Sequence, residues 1–296
     1  MNVVETFYNW LVAEHYSDST IGEHVATIKR FEAWVTASGY SSSSHLTYTE
    51  LLHYVQEEKK RGVQTQSINL RLNSLRLFYS HLKEEGIRTD NPAKRIRIKG
   101  AVKTVVQDVL DYKELENLYH YYAAYIEKQP VSKPIQLHRR QRNLTLLGLL
   151  LWQGLTTGEI AKLQTGDLNL SKGTLYIAST KRSNSRELKL APIQIIPLHT
   201  YVNQTRQGLA SKGQVLFSGV VVQVIDKLVI ELSGLNPVVR NAHHIRASVL
   251  MYWLKLYGKR QVQYMAGHKH ISSIERYEKQ DIEKLTDQLN KHHPFG

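Results

Sequence analysis

Residues 243–277 read HHIRASVLMYWLKLYGKRQVQYMAGHKHISSIERY, and this stretch places three groups of reactive side chains close together in the chain. His243 and Arg246 are three positions apart, so a helix would present both on one face. Gly267-His268 follows an apolar helical pattern and is typical of a helix C-terminus. Tyr277 lies nine residues beyond His268. The stretch therefore predicts helices that carry an arginine, two histidines and a tyrosine in a defined order.

These side chains suit phosphoryl transfer. A tyrosine hydroxyl can attack a phosphodiester and form a covalent link that conserves the bond energy for religation. Guanidinium and imidazolium groups neutralise the charge that builds on the phosphate oxygens, and a lysine near the leaving oxygen can act as general acid. Lys181, at the tip of a predicted hairpin, is the candidate acid. We expect this chemistry to need no cofactor and no metal.

Each of these residues, taken alone, also has an ordinary structural interpretation. The chain has 17 tyrosines, and any one of them is more often a core or surface residue than a nucleophile. His243 and His268 could be hydrogen-bonded core histidines. A metal site formed by these two with His270 is disfavoured, because no carboxylate completes a recognisable ligand spacing. It is the ordered combination that indicates a catalytic site.

The charge of the chain indicates a polyanionic partner. The formal net charge is +13, and residues 61–100 alone hold nine basic and three acidic side chains. Double-stranded DNA is the expected partner. An anionic membrane surface is the alternative, but the sequence has no Lys-rich amphipathic helix with an aromatic face. The sequence also has no membrane span, signal peptide or cysteine, which fits a cytoplasmic protein, associated with the nucleoid if prokaryotic.

The first hundred residues predict a helical domain of four helices. Capping boxes are predicted at 20–23 and 47–50, and the fourth helix spans about 65–85 and ends at Gly86. The polar face of that helix, the basic linker 91–99 and the hairpin supply the candidate DNA contacts, which are Arg71, Asn73, Arg76, Lys94, Arg95, Arg97, Lys99 and Arg182. The alternative is a solvated helix face, but the adjoining basic linker favours one wall of a DNA clamp.

A second domain is predicted from near Val102. Its first predicted helices begin at 111–114 and cover 144–153 and 159–163. A basic stretch at 128–142 and a turn at 154–158 separate them. Strands are predicted at 175–177, 188–190 and 193–196, and the remainder is mostly helical. The expected fold is mainly α with a small antiparallel β-sheet, divided into domains at 1–98 and 102–296.

The chain resembles the tyrosine recombinase (phage integrase) family, and in particular its short, Xer-like members. The resemblance covers nearly the whole chain. Besides the pieces in 243–277, it is carried by Ser19-Thr20-Ile21, Leu75-Arg76-Leu77-Phe78-Tyr79, Asn91-Pro92-Ala93, Gly154 to Leu163, Gln164-Thr165-Gly166-Asp167-Leu168 and Ile196-Pro197-Leu198. It implies a helical core-binding (SAM-like) domain followed by an α+β catalytic domain, which together form a C-shaped clamp round duplex DNA.

The resemblance also implies roles for individual residues. Tyr277 would form a 3′-phosphotyrosyl intermediate, while His243 and Arg246 would take the family's His-x-x-Arg roles. His268 would be the second histidine, Lys181 the hairpin lysine, and Glu159 an acidic residue that supports the active site. The segment after Tyr277, with Ile282, Leu285 and Leu289 at helical spacing, would be an exchange helix that docks on a neighbouring protomer. A homotetramer on paired sites is implied, with accessory DNA-bending proteins as further candidate partners.

One position departs from the family pattern. The first catalytic arginine normally follows Gly-Leu, and Thr156 stands at that place. A threonine offers one neutral donor where arginine offers a charged fork, and losing such a donor costs about 10²–10³-fold in rate. Another arginine could supply the charge, with Arg142 preferred over Arg139, Arg140 and Arg182. Otherwise the enzyme could be slow or active only when assembled, or the chain could bind DNA without cutting it.

The predicted function is site-specific recombination by the integrase or transposase of a mobile element. The alternative from another class is a catalytically silent DNA-binding protein of the same fold, acting in regulation or architecture. A monomeric topoisomerase-like enzyme would share the tyrosine chemistry, but the predicted exchange helix disfavours it. Retention of the histidines, the arginine, the lysine and the tyrosine favours an active enzyme.

Overall fold

The computed structural model describes residues 3–100, 109–128, 130, 133–181, 183–209 and 213–277. The chain divides into two compact units, Met1–Thr104 and Val105–Gly296. Each unit has its own apolar core. The described part of the chain contains no helix that is both long and apolar enough to cross a membrane.

The first unit is helical, as predicted. Its four α-helices within residues 3–100 are α1 (Val3–Ala13), α2 (Asp18–Ala37), α3 (Tyr48–Lys60) and α4 (Thr65–Glu84). The predicted helix start at Thr20 is wrong, because α2 begins two residues earlier, at Asp18. Ser17 is the N-cap, and its side chain accepts from the Thr20 backbone N–H, which is therefore already satisfied within the first turn.

The second predicted cap and the fourth helix are confirmed. The Glu50 carboxylate accepts from the Thr47 backbone N–H at 2.6 Å, which satisfies an orphan donor at the start of α3. Helix α4 is followed by Gly86 at φ 71°, a left-handed conformation that favours glycine after a helix. Its predicted apolar face is buried, and comprises Ile68, Leu72, Leu75, Phe78, Tyr79 and Leu82.

The segment predicted as a basic linker packs against the first unit. Ala93 and Ile96 are buried in its core. The Asn69 side chain on α4 donates to the Ile98 carbonyl at 2.9 Å and accepts from the Ile98 N–H at 3.0 Å. Lys94, Arg95, Arg97 and Lys99 alternate with these anchors and are exposed. Residues 91–99, here named the basic strap, are thus a docked part of the unit.

The second unit is built from helices that pack around the apolar second half of a central helix, residues 143–152. The helices are α5 (Tyr112–Lys128), α6 (Pro134–Trp152), α7 (Thr157–Ile160), α8 (Pro192–Thr200), α9 (Arg206–Gly208), α10 (Val221–Leu235), α11 (Ala242–Leu256) and α12 (Lys259–Ala266). A π-helical turn, Tyr201–Thr205, joins α8 to α9. Helical backbone also covers residues 272–277.

Helix α6 is longer than predicted. The basic stretch before residue 144 was expected to lie outside it, but the helix begins at Pro134, whose fixed φ suits the first helical position. The buried residues of α6 all lie at Asn143 or beyond. Its first half is therefore a partly exposed helical segment, and the change in polarity marks where the core begins.

The sheet is small and antiparallel, as predicted, in the order β1 (Leu168–Asn169), β2 (Thr174–Ile177) and β3 (Arg186–Lys189) within the described residues. Leu175 pairs with Leu188, and Ile177 pairs with Arg186. The strand predicted at 193–196 is wrong, because these residues lie in α8. A short apolar run does not distinguish strand from helix, and Pro192 begins a helix whose buried residues, Gln194 and Leu198, are four positions apart.

Candidate active site

Several side chains of the predicted catalytic group lie together in the second unit. Asn241 caps α11 by accepting from the His244 N–H at 2.8 Å, which starts the helix that carries His243 and Arg246. Arg246 is buried and donates to the Ala266 carbonyl at 2.7 Å and to the Gly154 carbonyl. The guanidinium thus ties the end of α12 to the turn before α7.

Arg246, His268 and Tyr277 form a contiguous row. Arg246 Nη2 lies 3.2 Å from His268 Nε2, and the rings of His268 and Tyr277 stack with centroids 6.5 Å apart and an interplanar angle of 16°. Because an arginine only donates, His268 Nε2 accepts, which assigns the ring proton to Nδ1. The structure therefore brings these three predicted residues together.

The two acid–base groups of this row are both uncharged at neutral pH. Burial, together with the charges of Arg246 and Arg186, lowers the pKa of His268 to about 4. Burial raises the pKa of Tyr277 against the opposing effect of Arg246 and Arg276. Tyr277 is 8% exposed. The phenol must therefore lose its proton as it attacks, and it must first become accessible.

Glu159 is the carboxylate at the centre of the site. It is buried and forms ion pairs with Arg186 at 2.7 Å and Arg246 at 3.8 Å. The Thr156 N–H and hydroxyl each lie 2.9 Å from Glu159 Oε2. Burial opposes ionisation, but the Arg186 hydrogen bond and charge, the Thr156 N–H and Arg246 together lower the pKa of Glu159 to about 2. Glu159 is a buried anion that holds two arginines.

Replacing Glu159 with glutamine is expected to lower the unfolding free energy at pH 7. Since the folded pKa of about 2 lies below the ordinary glutamate value of 4.5, the carboxylate stabilises the fold above pH 4.5, and this contribution is lost as the pH falls towards 2. The difference corresponds to about 3 kcal/mol. Urea denaturation of both proteins between pH 7 and pH 2.5 should show the two stabilities converging. Glu187→Gln, at an exposed position of β3, is the matched control, and a Glu159→Gln deficit that is constant with pH would contradict the assignment.

Arg186 belongs to this site and sequence reasoning missed it. Its side chain is fully buried, and its Nε donates to the Met265 carbonyl at 2.8 Å while Nη1 donates to Glu159. The signal was present in the strand pattern. Leu188 and Leu190 point inward, so the alternation of a strand places residue 186 on the same face. An arginine at an inward position needs an anion, and the site provides one.

Lys181 and His243 lie at the edge of the cluster. Lys181 is exposed in the turn between β2 and β3, at the predicted hairpin tip. That hairpin is joined to the His268 loop, because Ser183 pairs with His268 in an isolated antiparallel bridge and the Asn184 N–H donates to the Gly267 carbonyl at 2.9 Å. His243 is exposed on the first turn of α11. Both residues are therefore exposed, whereas Arg246 and Tyr277 are buried.

Thr156 and Arg142 have different surroundings. Thr156 is the N-cap of α7, and its hydroxyl accepts from the Glu159 N–H at 3.2 Å. Arg142 lies ten residues before Trp152, which is about 15 Å along α6. It donates to Asn143 at 3.1 Å and lines a surface cavity with Tyr122 and Glu231. The structure does not bring Arg142 into the group around Glu159.

The candidate DNA contacts of the first unit fall into two sets. Arg71 forms an ion pair with the buried carboxylate of Glu58 on α3, so its charge is already partnered. By contrast, Asn73 is exposed and Arg76 is half-buried. A concave surface, here named the basic groove, is lined by Arg76, Lys83, Lys94 and Arg95 together with Tyr48, Ser80, Asp90, Asn91 and Pro92. Arg182 and the predicted exchange helix with Ile282, Leu285 and Leu289 lie outside the described residues.

Among the described residues, no group of three or more histidine, aspartate or glutamate side chains is arranged to hold a metal ion.

Comparison with known proteins covers both units. A phage integrase N-terminal SAM-like domain model matches residues 4–86, and a phage integrase family model matches residues 108–284. Tyrosine recombinase XerC of Bacillus subtilis is 25% identical over 309 residues, which cover 99% of this chain and 96% of that protein. XerC of Lacticaseibacillus casei is 24% identical over 314 residues, with 99% of each chain covered.

Solved structures share the fold. The XerH site-specific recombinase bound to palindromic difH substrate in a post-cleavage complex has a TM-score of 0.72 at 18% identity, covering 91% of this chain and 79% of that one. The Tn1549 transposon integrase in complex with transposon right-end DNA has a TM-score of 0.67 at 14% identity, covering 94% of both chains.

The two family-model matches, over a helical first unit and a second unit with a small antiparallel sheet, define the class as DNA strand-exchange enzymes of the tyrosine type. The chain belongs to the phage integrase family. It is a tyrosine site-specific recombinase, as the sequence predicted.

Proposed function

We propose that this recombinase cleaves DNA through Tyr277 and holds the cut end as a 3′-phosphotyrosyl intermediate. The observation that carries the proposal is the row formed by Arg246, His268 and Tyr277. It places a charged donor, a neutral imidazole and the only predicted nucleophile side by side. A phosphate that meets this row would find a nucleophile and a charge-neutralising group together.

The steps of cleavage follow from the protonation states. The Tyr277 oxygen bonds to phosphorus, and the bond from phosphorus to the 5′ oxygen of the next nucleotide breaks. The phenol proton passes to His268, whose Nε2 lone pair becomes available once Arg246 turns its donors towards the phosphate. Lys181 donates a proton to the leaving 5′ oxygen. Religation is the same sequence in reverse, with Lys181 accepting the proton of the attacking hydroxyl.

The remaining groups support the phosphate. His243, exposed at the start of α11, donates a hydrogen bond to a non-bridging oxygen. Glu159 holds Arg246 in place through the ion pair described above. Thr156 is the N-cap of α7, and its hydroxyl donates to the Glu159 carboxylate.

The first unit supplies the grip on the DNA. We assign the clamp to residues 1–98 and the reaction to residues 102–296. The basic groove and the exposed cations of the basic strap, Arg97 and Lys99, offer positive charge to the phosphates of a duplex, and they stand on backbone that is docked against the first unit. The neighbours of similar fold are recombinase and integrase complexes with DNA, which supports this assignment.

Strand exchange between two sites needs more than one active site. We propose a homotetramer on paired sites, joined by the segment after Tyr277 and aided by accessory DNA-bending proteins. The similarity to a transposon integrase supports a role in the integration or transposition of a mobile element. Such a reaction would take place in the cytoplasm.

The test is a suicide-substrate assay. The wild-type protein is incubated with nicked duplex DNA that carries the candidate recombination site, and the products are run on a denaturing gel. A covalent adduct whose linked peptide, identified by mass spectrometry, contains Tyr277 is the expected result. Tight binding in a native gel without any adduct would overturn the proposal and favour a DNA-binding protein that does not cut.

A further inference from the structure

The buried charges of the active site do not balance. Arg186 and Arg246 both form an ion pair with Glu159, so among the described residues two guanidinium groups share one carboxylate. His268, with its pKa at about 4, adds no charge at neutral pH. A buried cation without a counter-ion is costly. The cluster therefore has an excess positive charge that a bound anion would neutralise.

The excess has a specific location on Arg186. Its Nε donates to Met265 and its Nη1 to Glu159, whereas its Nη2 is buried and has no hydrogen-bond partner among the described residues. Buried donors are satisfied in nearly all proteins, so an unsatisfied one points to a missing partner. For a guanidinium, the best-matched partner is a carboxylate or a phosphate.

Arg186 and Arg246 are held at the same place. Arg186 donates to the Met265 carbonyl and Arg246 to the Ala266 carbonyl, so the two guanidinium groups bind successive carbonyls at the end of α12. Gly267 follows at φ 70°, and a Cβ at this position would collide with the Arg186 guanidinium. The glycine thus leaves space for Arg186 directly beside His268.

We propose that Arg186 supplies, at the scissile phosphate, the second guanidinium that position 156 lacks, with Nη2 donating to a non-bridging oxygen. The inference rests on the proposed function. Tyr277 stacks on His268, which follows Gly267, and Arg186 lies against Gly267. A phosphate that reaches Tyr277 and His268 is therefore expected to come near Arg186 as well.

The test measures whether the contribution of Arg186 depends on the charge of the phosphate. Wild-type protein and Arg186→Lys are compared in single-turnover cleavage of two nicked substrates. One has the natural scissile phosphodiester, and the other has a methylphosphonate there, which removes the negative charge. The Lys variant keeps a cation for Glu159 but loses the fork. We expect a loss of about 10²–10³-fold on the phosphodiester and a much smaller loss on the methylphosphonate.

A structural role predicts a different pattern. If Arg186 only positioned Glu159 and α12, the variant would lose the same factor on both substrates, and this result would overturn the proposal. Arg206→Lys is the matched control, because Arg206 also donates to carbonyls, those of Val215 and Leu216, but lies outside the cluster. Arg206→Lys should cleave each of the two substrates at the same rate as the wild-type protein does.

A second test leaves Arg186 unchanged and therefore does not depend on the folding of Arg186→Lys. In Thr156→Arg alone, cleavage at the wild-type rate is expected because the second guanidinium is already supplied, whereas a clear gain in rate would overturn the proposal.

A double variant extends this test. In the double variant Arg186→Lys with Thr156→Arg, residue 156 supplies the guanidinium that residue 186 has lost, from a position in contact with Glu159. Recovery of at least a tenth of wild-type cleavage supports the proposal, whereas a double variant that is folded, binds DNA and does not cleave overturns it. If wild-type protein forms the adduct and Arg186→Lys loses the same factor on both substrates, only the role of Arg186 is rejected. The absence of a wild-type adduct rejects the proposed function and this inference together.

Discussion

Tyr277→Phe is expected to abolish the covalent protein–DNA adduct while leaving DNA binding intact. The change removes the hydroxyl alone, so the ring keeps its place in the core of the second unit and its stacking on His268. Without the nucleophile, the rate should fall by about 10⁶-fold, which is the scale of loss for a removed catalytic nucleophile. The measurement is the denaturing gel with nicked DNA, alongside a native gel for binding.

Tyr264→Phe is the matched control for this experiment. Tyr264 is exposed on α12, and its hydroxyl is hydrogen-bonded to the backbone of Glu187. The control should form the adduct at the wild-type rate. Persistence of the adduct in Tyr277→Phe would show that another residue attacks the phosphate.

Arg246→Lys is expected to reduce cleavage by about 10²–10³-fold. The guanidinium reaches Gly154, Ala266 and His268 at the same time. A lysine ammonium is a single point charge and cannot span these groups. The variant should therefore lose both the orientation of His268 and the charge-assisted bonds to the phosphate, and its melting temperature should also fall.

The rate loss can be separated from the loss of stability. Cleavage is measured at a temperature where both proteins are folded by circular dichroism, with DNA saturating. Arg88→Lys is the control, because Arg88 is a largely buried arginine that binds Asp90 and the carbonyls of Ser44 and Leu46 in the first unit. Equal rate losses in the two variants would mean that Arg246 acts on the fold and not on the phosphate.

Local sequence patterns predicted most of the fold. Capping chemistry and apolar periodicity identify α3 and α4, since both depend on residues a few positions apart. The same patterns failed at α8, where a short run of three isoleucines and one glutamine, residues 193–196, is compatible with either a strand or a helix. They also failed at the start of α6, where a partly exposed basic helix has the composition of a loop.

The site was predictable where its residues are defined by order along the chain. The His-x-x-Arg spacing, the Gly-His helix end and the tyrosine all lie within 35 residues, and the structure brings Arg246, His268 and Tyr277 together. Arg186 was not predictable in this way, because its role arises from contacts with Glu159 and Met265, which are 27 and 79 positions away. The pairing of Arg71 with Glu58 was hidden for the same reason.

The short bridge between the hairpin and the His268 loop connects two of the candidate catalytic residues. Ser183 pairs with His268, and the Asn184 N–H donates to the Gly267 carbonyl at 2.9 Å. Lys181 lies two positions before Ser183 in the same turn. We therefore expect a displacement of the turn to be transmitted to the imidazole, so that the lysine and the histidine reach or leave their working positions together.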